Sequence, residues 1–297
     1  MEQATEQIDI LIVGSGPAGM STALHVVQQK PEWADRILVI DKATHPREKL
    51  CGGGVTRPGE TILANLGLTI ETPQIPIREL RLVYKDEAYR FREDEPLFRV
   101  IRRDEFDHWL VNKGRERGIC VREGEAVKDI QPYDDYVEVV TERSVIQAKT
   151  VVAADGSRSF VRQKLKWHDP DHIARLLEVL TPQAQAEDEL FQDGVAIFDF
   201  SALLGGVQGY YWDFPSIVQG EAVVNRGIFD SRTFVDGPRA NLKETLQIAM
   251  AQRQQDLAQF PLKGHPIRWF NRLGQFARPR IILVGDAAGV DPMVGEG

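Results

Sequence analysis

Gly14, Gly16 and Gly19 stand in G-x-G-x-x-G spacing within GSGPAG, and an acidic residue, Asp41, follows 22 residues beyond the last of them. Glycine bares the backbone and turns where a side chain would forbid it. At this spacing the first glycine permits a tight turn, the second lets a pyrophosphate approach, and the third lets helix and strand close together. Pro17 and Ala18 continue the run into a helix start, whose unpaired N–H groups face an anion. Asp41, followed by Lys42, is placed to bind ribose hydroxyls. A second chemical group is a thiol: KLCGGG, residues 49–54, sets Cys51 ahead of Gly52, Gly53 and Gly54. So much bare backbone beside a thiol is either an undemanding loop or a surface against which something flat lies.

These residues need elements to hold them. IDILIVG, residues 8–14, reads as a buried strand running straight into the glycine turn. PAGMSTALHVVQQK then reads as a helix, and RILVI as a second strand ending at Asp41. Strand, glycine turn, helix, strand and acid together make a dinucleotide-binding unit. Further along, VVAADGSRSFVR (151–162) is a strand leading into Asp155-Gly156, and RPRIILVGDAAGVDPMVGEG (278–297) is another leading into Gly285-Asp286. RRDEFDHWL (102–110) reads as a helix start with Arg103 at its head. An aspartate after a strand is also a common helix cap, so each piece alone has a plainer reading.

Taken in order, the D-G and G-D motifs and R-x-x-F-D resemble those of FAD-dependent oxidoreductases related to the aromatic hydroxylases. Within that superfamily K-x-C-G-G-G is similar to the geranylgeranyl reductase family. So are GYYWDFP (209–215), through Tyr210, Trp212, Phe214 and Pro215, and the ending P-M-V-G-E-G (292–297). The likeness runs from Asp9 to Gly297 and is thin over 166–205 and 230–275. Asp213 inside the aromatic motif and Ser216 after it depart from the family pattern. The resemblance implies noncovalent FAD, with Arg103, Asp155, Gly156, Gly285, Asp286, Gly295, Glu296 and Gly297 beside the cofactor. It implies NAD(P)H or a reduced protein as electron donor, and a prenyl or other hydrophobic substrate. It also implies a chain that continues past Gly297 with a helix, so the sequence reads as C-terminally truncated.

Two site readings stay open. Alternation along a strand puts Tyr210, Trp212 and Phe214 on one face, where they wall an apolar pocket or simply form core. Cys51 beside the flavin ring either donates a proton to substrate, with Tyr210 and Trp212 lining the reaction, or is a small buried residue. Three activities share this fold: reduction of isolated prenyl C=C bonds, hydroxylation of an aromatic or polyketide ring by a monooxygenase, and flavin binding without turnover.

Composition narrows the setting. Hydrophobic residues at 42% and charged ones at 27% are those of a globular chain. A net charge of -8 argues against a nucleic-acid partner. Two cysteines give neither a disulfide framework nor metal-site spacing, which suits a reducing cytoplasmic compartment. No apolar run approaches the ~20 residues that cross a bilayer, which leaves contact at a membrane surface open. The expected architecture is α/β: a Rossmann-type FAD-binding domain (1–78, 100–166 and 270–297) with an inserted β-sheet substrate domain (79–99 and 167–269). The stretch 120–150 is expected to form a small antiparallel meander. ELRLVYKD, VAIFDF and GYYWDFP supply the substrate sheet, beneath a helix over 238–253.

Overall fold

The computed structural model describes residues 5–167, 173–184, 187–272 and 274–292. The chain divides into two compact units: residues 1–48, 104–172 and 268–291, and residues 49–103, 173–267 and 292–297.

In the first unit the branched run Thr5–Val13 forms the central strand. It pairs in parallel with Ile37–Ile40 on one side and Val145–Ala153 on the other. Ile281–Leu283 extends the parallel set beyond Val145–Ala153, and Cys120–Arg122 extends it beyond Ile37–Ile40. Strands covered on both faces read as continuous apolar runs, and ILVI at 37–40 is buried throughout. Its helices include Pro17–Gln29, which buries Met20, Ala23, Leu24 and Val27, and Arg103–Glu116, which joins the unit from Asp104.

The expected meander is smaller than the sequence suggests. Cys120–Arg122 is a parallel edge strand; only Val137–Thr141 pairs antiparallel with the start of Val145–Ala153, and Val127–Pro132 pairs antiparallel with Val137–Thr141 in turn. Val145–Ala153 serves both arrangements. It pairs with the central strand along its whole length, while on its other side the first half carries the meander and the end pairs with Ile281–Leu283 before leading to Asp155.

The second unit holds a seven-stranded sheet built around Gly209–Val218 and Glu221–Asp230, which pair over their full length. Glu79–Tyr84 and Glu87–Arg92 form an edge hairpin, joined in parallel to Val195–Asp199. The helix Leu242–Gln252, capped by Asn241 through the Glu244 N–H, starts four residues later than expected. It packs Leu242, Leu246 and Met250 onto Tyr211, Ile228 and Val179.

Residues 49–78 and 100–103 group with this unit rather than with the nucleotide-binding one. The reason is pairing: Gly54–Thr56, Phe98–Ile101 and Gln74–Ile77 make their own three-stranded sheet, and the Phe98 ring packs at a tilt against Phe214 of the large sheet, with centroids 5.7 Å apart. Among the described residues no helix is long and apolar enough to cross a membrane.

Candidate functional site

In the first unit the glycine turn is built as its spacing requires. Gly14 has φ +107°, and a Cβ there would lie 2.3 Å from the Ala154 carbonyl oxygen. A Cβ on Gly19 would lie 2.0 Å from the Gly14 carbonyl oxygen, so helix and strand meet without room for alanine. Gly16 differs: it is the helix N-cap, extended at φ -69° and ψ 179°, with no side-chain cap. A Cβ there would meet only the tip of Arg47, at 3.2 Å. The helix start is therefore uncapped and open on one side, as an anion needs.

Asp41 does more than the sequence reading gives it. Its Oδ2 accepts the Ser15 N–H at 2.8 Å and the Ser15 hydroxyl at 2.7 Å, and its Oδ1 accepts the Ala43 N–H at 2.9 Å. The carboxylate braces the glycine turn and keeps one Oδ1 lone pair for a ribose hydroxyl. Lys42 is exposed beside it. Arg47 escaped the sequence reading because nothing local marks it. Its guanidinium sits 3.2 Å from Asp107 and 4.0 Å from Asp41, on the open side of Gly16.

The D-G and G-D turns lie in the same unit. Asp155 Oδ2 accepts the Val161 N–H at 3.1 Å, while Oδ1 is buried with no partner among the described residues. Burial pushes this carboxyl above its usual range. Gly156 has φ +80° and open space where a Cβ would stand. Gly285 comes so near the glycine helix that a Cβ would lie 2.6 Å from the Ala18 Cβ, and Asp286 follows in the turn Gly285–Ala287. An uncapped helix start, an open glycine and a buried acceptor lacking a donor fit the diphosphate and polyol of a dinucleotide. Arg103 is half-buried at the head of its helix and groups with the second unit. Gly295, Glu296 and Gly297 lie outside the described residues.

The segment carrying Arg47 is pinned by His45. Glu123 accepts both the His45 backbone N–H, at 2.8 Å, and its Nδ1, at 2.6 Å, and also pairs with Arg115. Burial opposes ionisation of Glu123, but the Arg115 guanidinium and the two His45 groups outweigh it and lower the carboxyl to about 2. The folded carboxyl thus ionises below its ordinary value of 4.5. Its stabilising contribution is complete above that value and is lost as pH falls toward 2. Melting temperatures of the wild type and Glu123→Gln should differ at neutral pH and converge on acidification through that window. A gap that stays constant down to the acid limit would show that the carboxylate does not stabilise this segment.

In the second unit the thiol turn and the aromatic strand are joined. Cys51 Sγ accepts the Gly53 N–H at 3.3 Å, and Gly53, at φ +85°, has its carbonyl bonded to the Ile101 N–H at 2.9 Å. The flat object against Gly52 is part of the chain itself: a Cβ there would lie 3.0 Å from the Phe214 ring. Gly54 is exposed and begins a strand. Tyr210, Trp212 and Phe214 share one face and are all buried, with Phe198 5.2 Å from Tyr210 and 5.1 Å from Phe214. Pro215, expected beside them, alternates to the opposite face with Tyr211 and Asp213. There Asp213 accepts hydrogen bonds from Tyr211, Arg226 and Arg253.

The fold and its glycine-turn site define a dinucleotide-binding flavoprotein. A profile described as FAD binding domain matches residues 7–195, so the chain belongs to that family of FAD-dependent oxidoreductases. It is 25% identical over 308 residues to a digeranylgeranylglycerophospholipid reductase of Methanothermobacter thermautotrophicus, covering 98% of this chain and 73% of the relative. It is 25% identical over 313 residues to a menaquinone reductase of Mycolicibacterium smegmatis, covering 97% and 72%. A geranylgeranyl bacteriochlorophyll reductase-like structure from Thermoplasma acidophilum superposes with TM-score 0.76 at 21% identity, covering 99% of this chain and 75% of that one. The resemblance drawn from K-x-C-G-G-G and Y-x-W-x-F-P thus has a counterpart in a relative named as a digeranylgeranylglycerophospholipid reductase.

Proposed function

We propose that this protein reduces isolated C=C bonds in a prenyl-type hydrophobic substrate, using FAD held by the glycine turn and the D-G and G-D loops. One observation carries this reading: an apolar face runs from Trp212 to the edge of the second unit's sheet. Directly opposed residues share a face, so Trp212 opposite Phe198, Phe198 opposite Leu82 and Leu82 opposite Tyr89 form one row. Tyr210 opposite Phe229 lies on one side of it and Leu80 opposite Phe91 on the other. The face is buried at Tyr210 and Trp212, whereas Tyr89 is 67% and Phe91 51% exposed at the edge. Such a face suits a long apolar chain and offers a polar aromatic substrate few partners.

FAD held by the glycine turn would supply the hydride chemistry that saturating an alkene requires. The chain supplies the rest: the glycine turn and Arg47 hold the diphosphate, Asp155 holds a hydroxyl, and the aromatic row orients the alkene and excludes water. The Cys51 thiol, held by the Gly53 N–H, stands as proton donor to the second alkene carbon. NAD(P)H or a reduced protein would reload the flavin, and cytoplasmic operation at a membrane surface would give access to prenyl lipid. The test is anaerobic incubation of the FAD-loaded, chemically reduced protein with a geranylgeranyl lipid, followed by mass spectrometry. A gain of one hydrogen molecule per reduced bond is expected. Incorporation of oxygen from labelled O2 into an aromatic substrate, with no saturation of prenyl lipid, would overturn the reading in favour of a monooxygenase.

A further inference from the structure

Asp107 closes the R-x-x-F-D motif on the helix Arg103–Glu116, where it is 0% exposed. An aspartate is rarely buried so completely without a counter-charge, because a lone buried carboxylate is costly. One counter-charge comes from outside the helix: Arg47 Nη2 lies 3.2 Å from Asp107 Oδ2. The same Nη2 would stand 3.2 Å from a Cβ on Gly16, at the uncapped start of Pro17–Gln29. Nε of that guanidinium is 4.0 Å from Asp41, which braces the glycine turn. Two carboxylates therefore face the head of Arg47 through different nitrogens. The backbone two residues earlier is held at His45 by Glu123. A guanidinium carries more N–H donors than these two contacts use, so donors remain for a further anion. All of these groups belong to the first unit.

We propose that Asp107 is a positioning residue, which holds the Arg47 guanidinium at the uncapped helix start so that it donates to the diphosphate of FAD. This rests on the reading above that the glycine turn and Arg47 hold that diphosphate. Charge alone predicts the opposite effect. Asp107 is an anion near an anion site, and like charges repel. Its presence is explained if fixing the arginine gains more than the repulsion costs. A long side chain left free loses rotamer entropy when it is ordered on a ligand, and one already held does not. The aspartate of R-x-x-F-D then acts through an arginine 60 positions earlier in the chain.

The test compares the wild type, Asp107→Asn, Arg47→Ala and the two substitutions combined. Affinity for FAD is read by titration, and affinities for ADP and adenosine by competition against FAD. Circular dichroism identifies the variants that fold. Asparagine keeps the size of the side chain and removes its charge. Asp107→Asn should weaken FAD and ADP about tenfold, the scale of one hydrogen bond to a charged group, and leave adenosine unchanged. Arg47→Ala should lose at least as much, and adding Asp107→Asn to it should cost nothing further, because both act through one contact. An equal loss for ADP and adenosine is the mark of general destabilisation, and would overturn the proposal. So would a folded Asp107→Asn protein that binds ADP as well as the wild type or more tightly, as charge repulsion alone predicts. If the asparagine variant does not fold, Arg47→Lys serves, because it keeps the charge but a single ammonium cannot hold both contacts. It should lose most of the preference for ADP over adenosine, and a wild-type preference would show that charge suffices without positioning. Unchanged ADP affinity in Arg47→Ala would instead overturn the placement of the diphosphate, and this proposal with it.

Discussion

Gly16→Val is expected to leave the protein folded and colourless. At Gly16 the backbone is extended, a conformation any residue adopts, and a new Cβ meets only the movable tip of Arg47 at 3.2 Å. Nothing in the FAD-free fold resists the substitution. A ligand diphosphate, however, must come against this stretch of backbone, and an isopropyl group there separates it from the helix N–H groups. Each hydrogen bond to a charged group contributes ~1.5–3 kcal/mol, so losing even two weakens FAD by roughly a hundredfold or more. The neighbouring glycines should respond in the opposite way. Alanine at Gly14 or Gly19 would press a Cβ within 2.3 or 2.0 Å of a backbone oxygen, so those variants should lose the fold itself. Thermal melts with and without FAD, together with flavin absorbance after purification, separate the two outcomes. A Gly16→Val protein as yellow as the wild type would show that the diphosphate lies elsewhere.

This contrast shows how much of the site could be read from sequence. Gly14, Gly19 and Asp41 follow from spacing because their work is local to one strand–turn–helix unit, and Ser15 meets Asp41 directly. The glycines after Cys51 were legible as bare backbone, but not in their cause. Phe214 lies 162 positions from Gly52 in sequence, and only the folded sheet brings its ring there. The same holds for the Cys51 carbonyl, which accepts from the Asn225 side chain 174 positions away. Gly53 is held by a remote neighbour too: with φ +85° and a Cβ position 2.1 Å from the Ile101 oxygen, Gly53→Leu should destabilise the turn outright. Strand and helix positions survived because period and capping signals are local, whereas the domain boundary at 78 did not. No composition change marks where a three-stranded sheet transfers a segment from one unit to the other.

Asp213→Ala should be among the most destabilising substitutions in the second unit, although the residue sits inside a motif associated with substrate. In sequence Asp213 reads as a departure from the family pattern, placed between Trp212 and Phe214. Alternation along the strand sends it to the other face, where it is 2% exposed and accepts hydrogen bonds from Tyr211, Arg226 and Arg253. Arg226 is itself 1% exposed, and its remaining donors go to Thr181 and Glu187. Burial and the Asp213 carboxylate both hold the Tyr211 phenol protonated, well above its usual range. Removing the carboxylate leaves two guanidinium groups facing a buried hydroxyl with one anion fewer, and breaking a buried pair in this way costs about 3–5 kcal/mol. Asp213→Asn should lose less, because its carbonyl oxygen still accepts one of the three donors. Denaturant unfolding of the two variants checks the order. If Asp213 served a substrate head group instead, both variants would unfold with the wild-type midpoint and differ only in KM. The ionic cluster predicts the reverse: a lowered midpoint, with the KM of the fraction that remains folded unchanged.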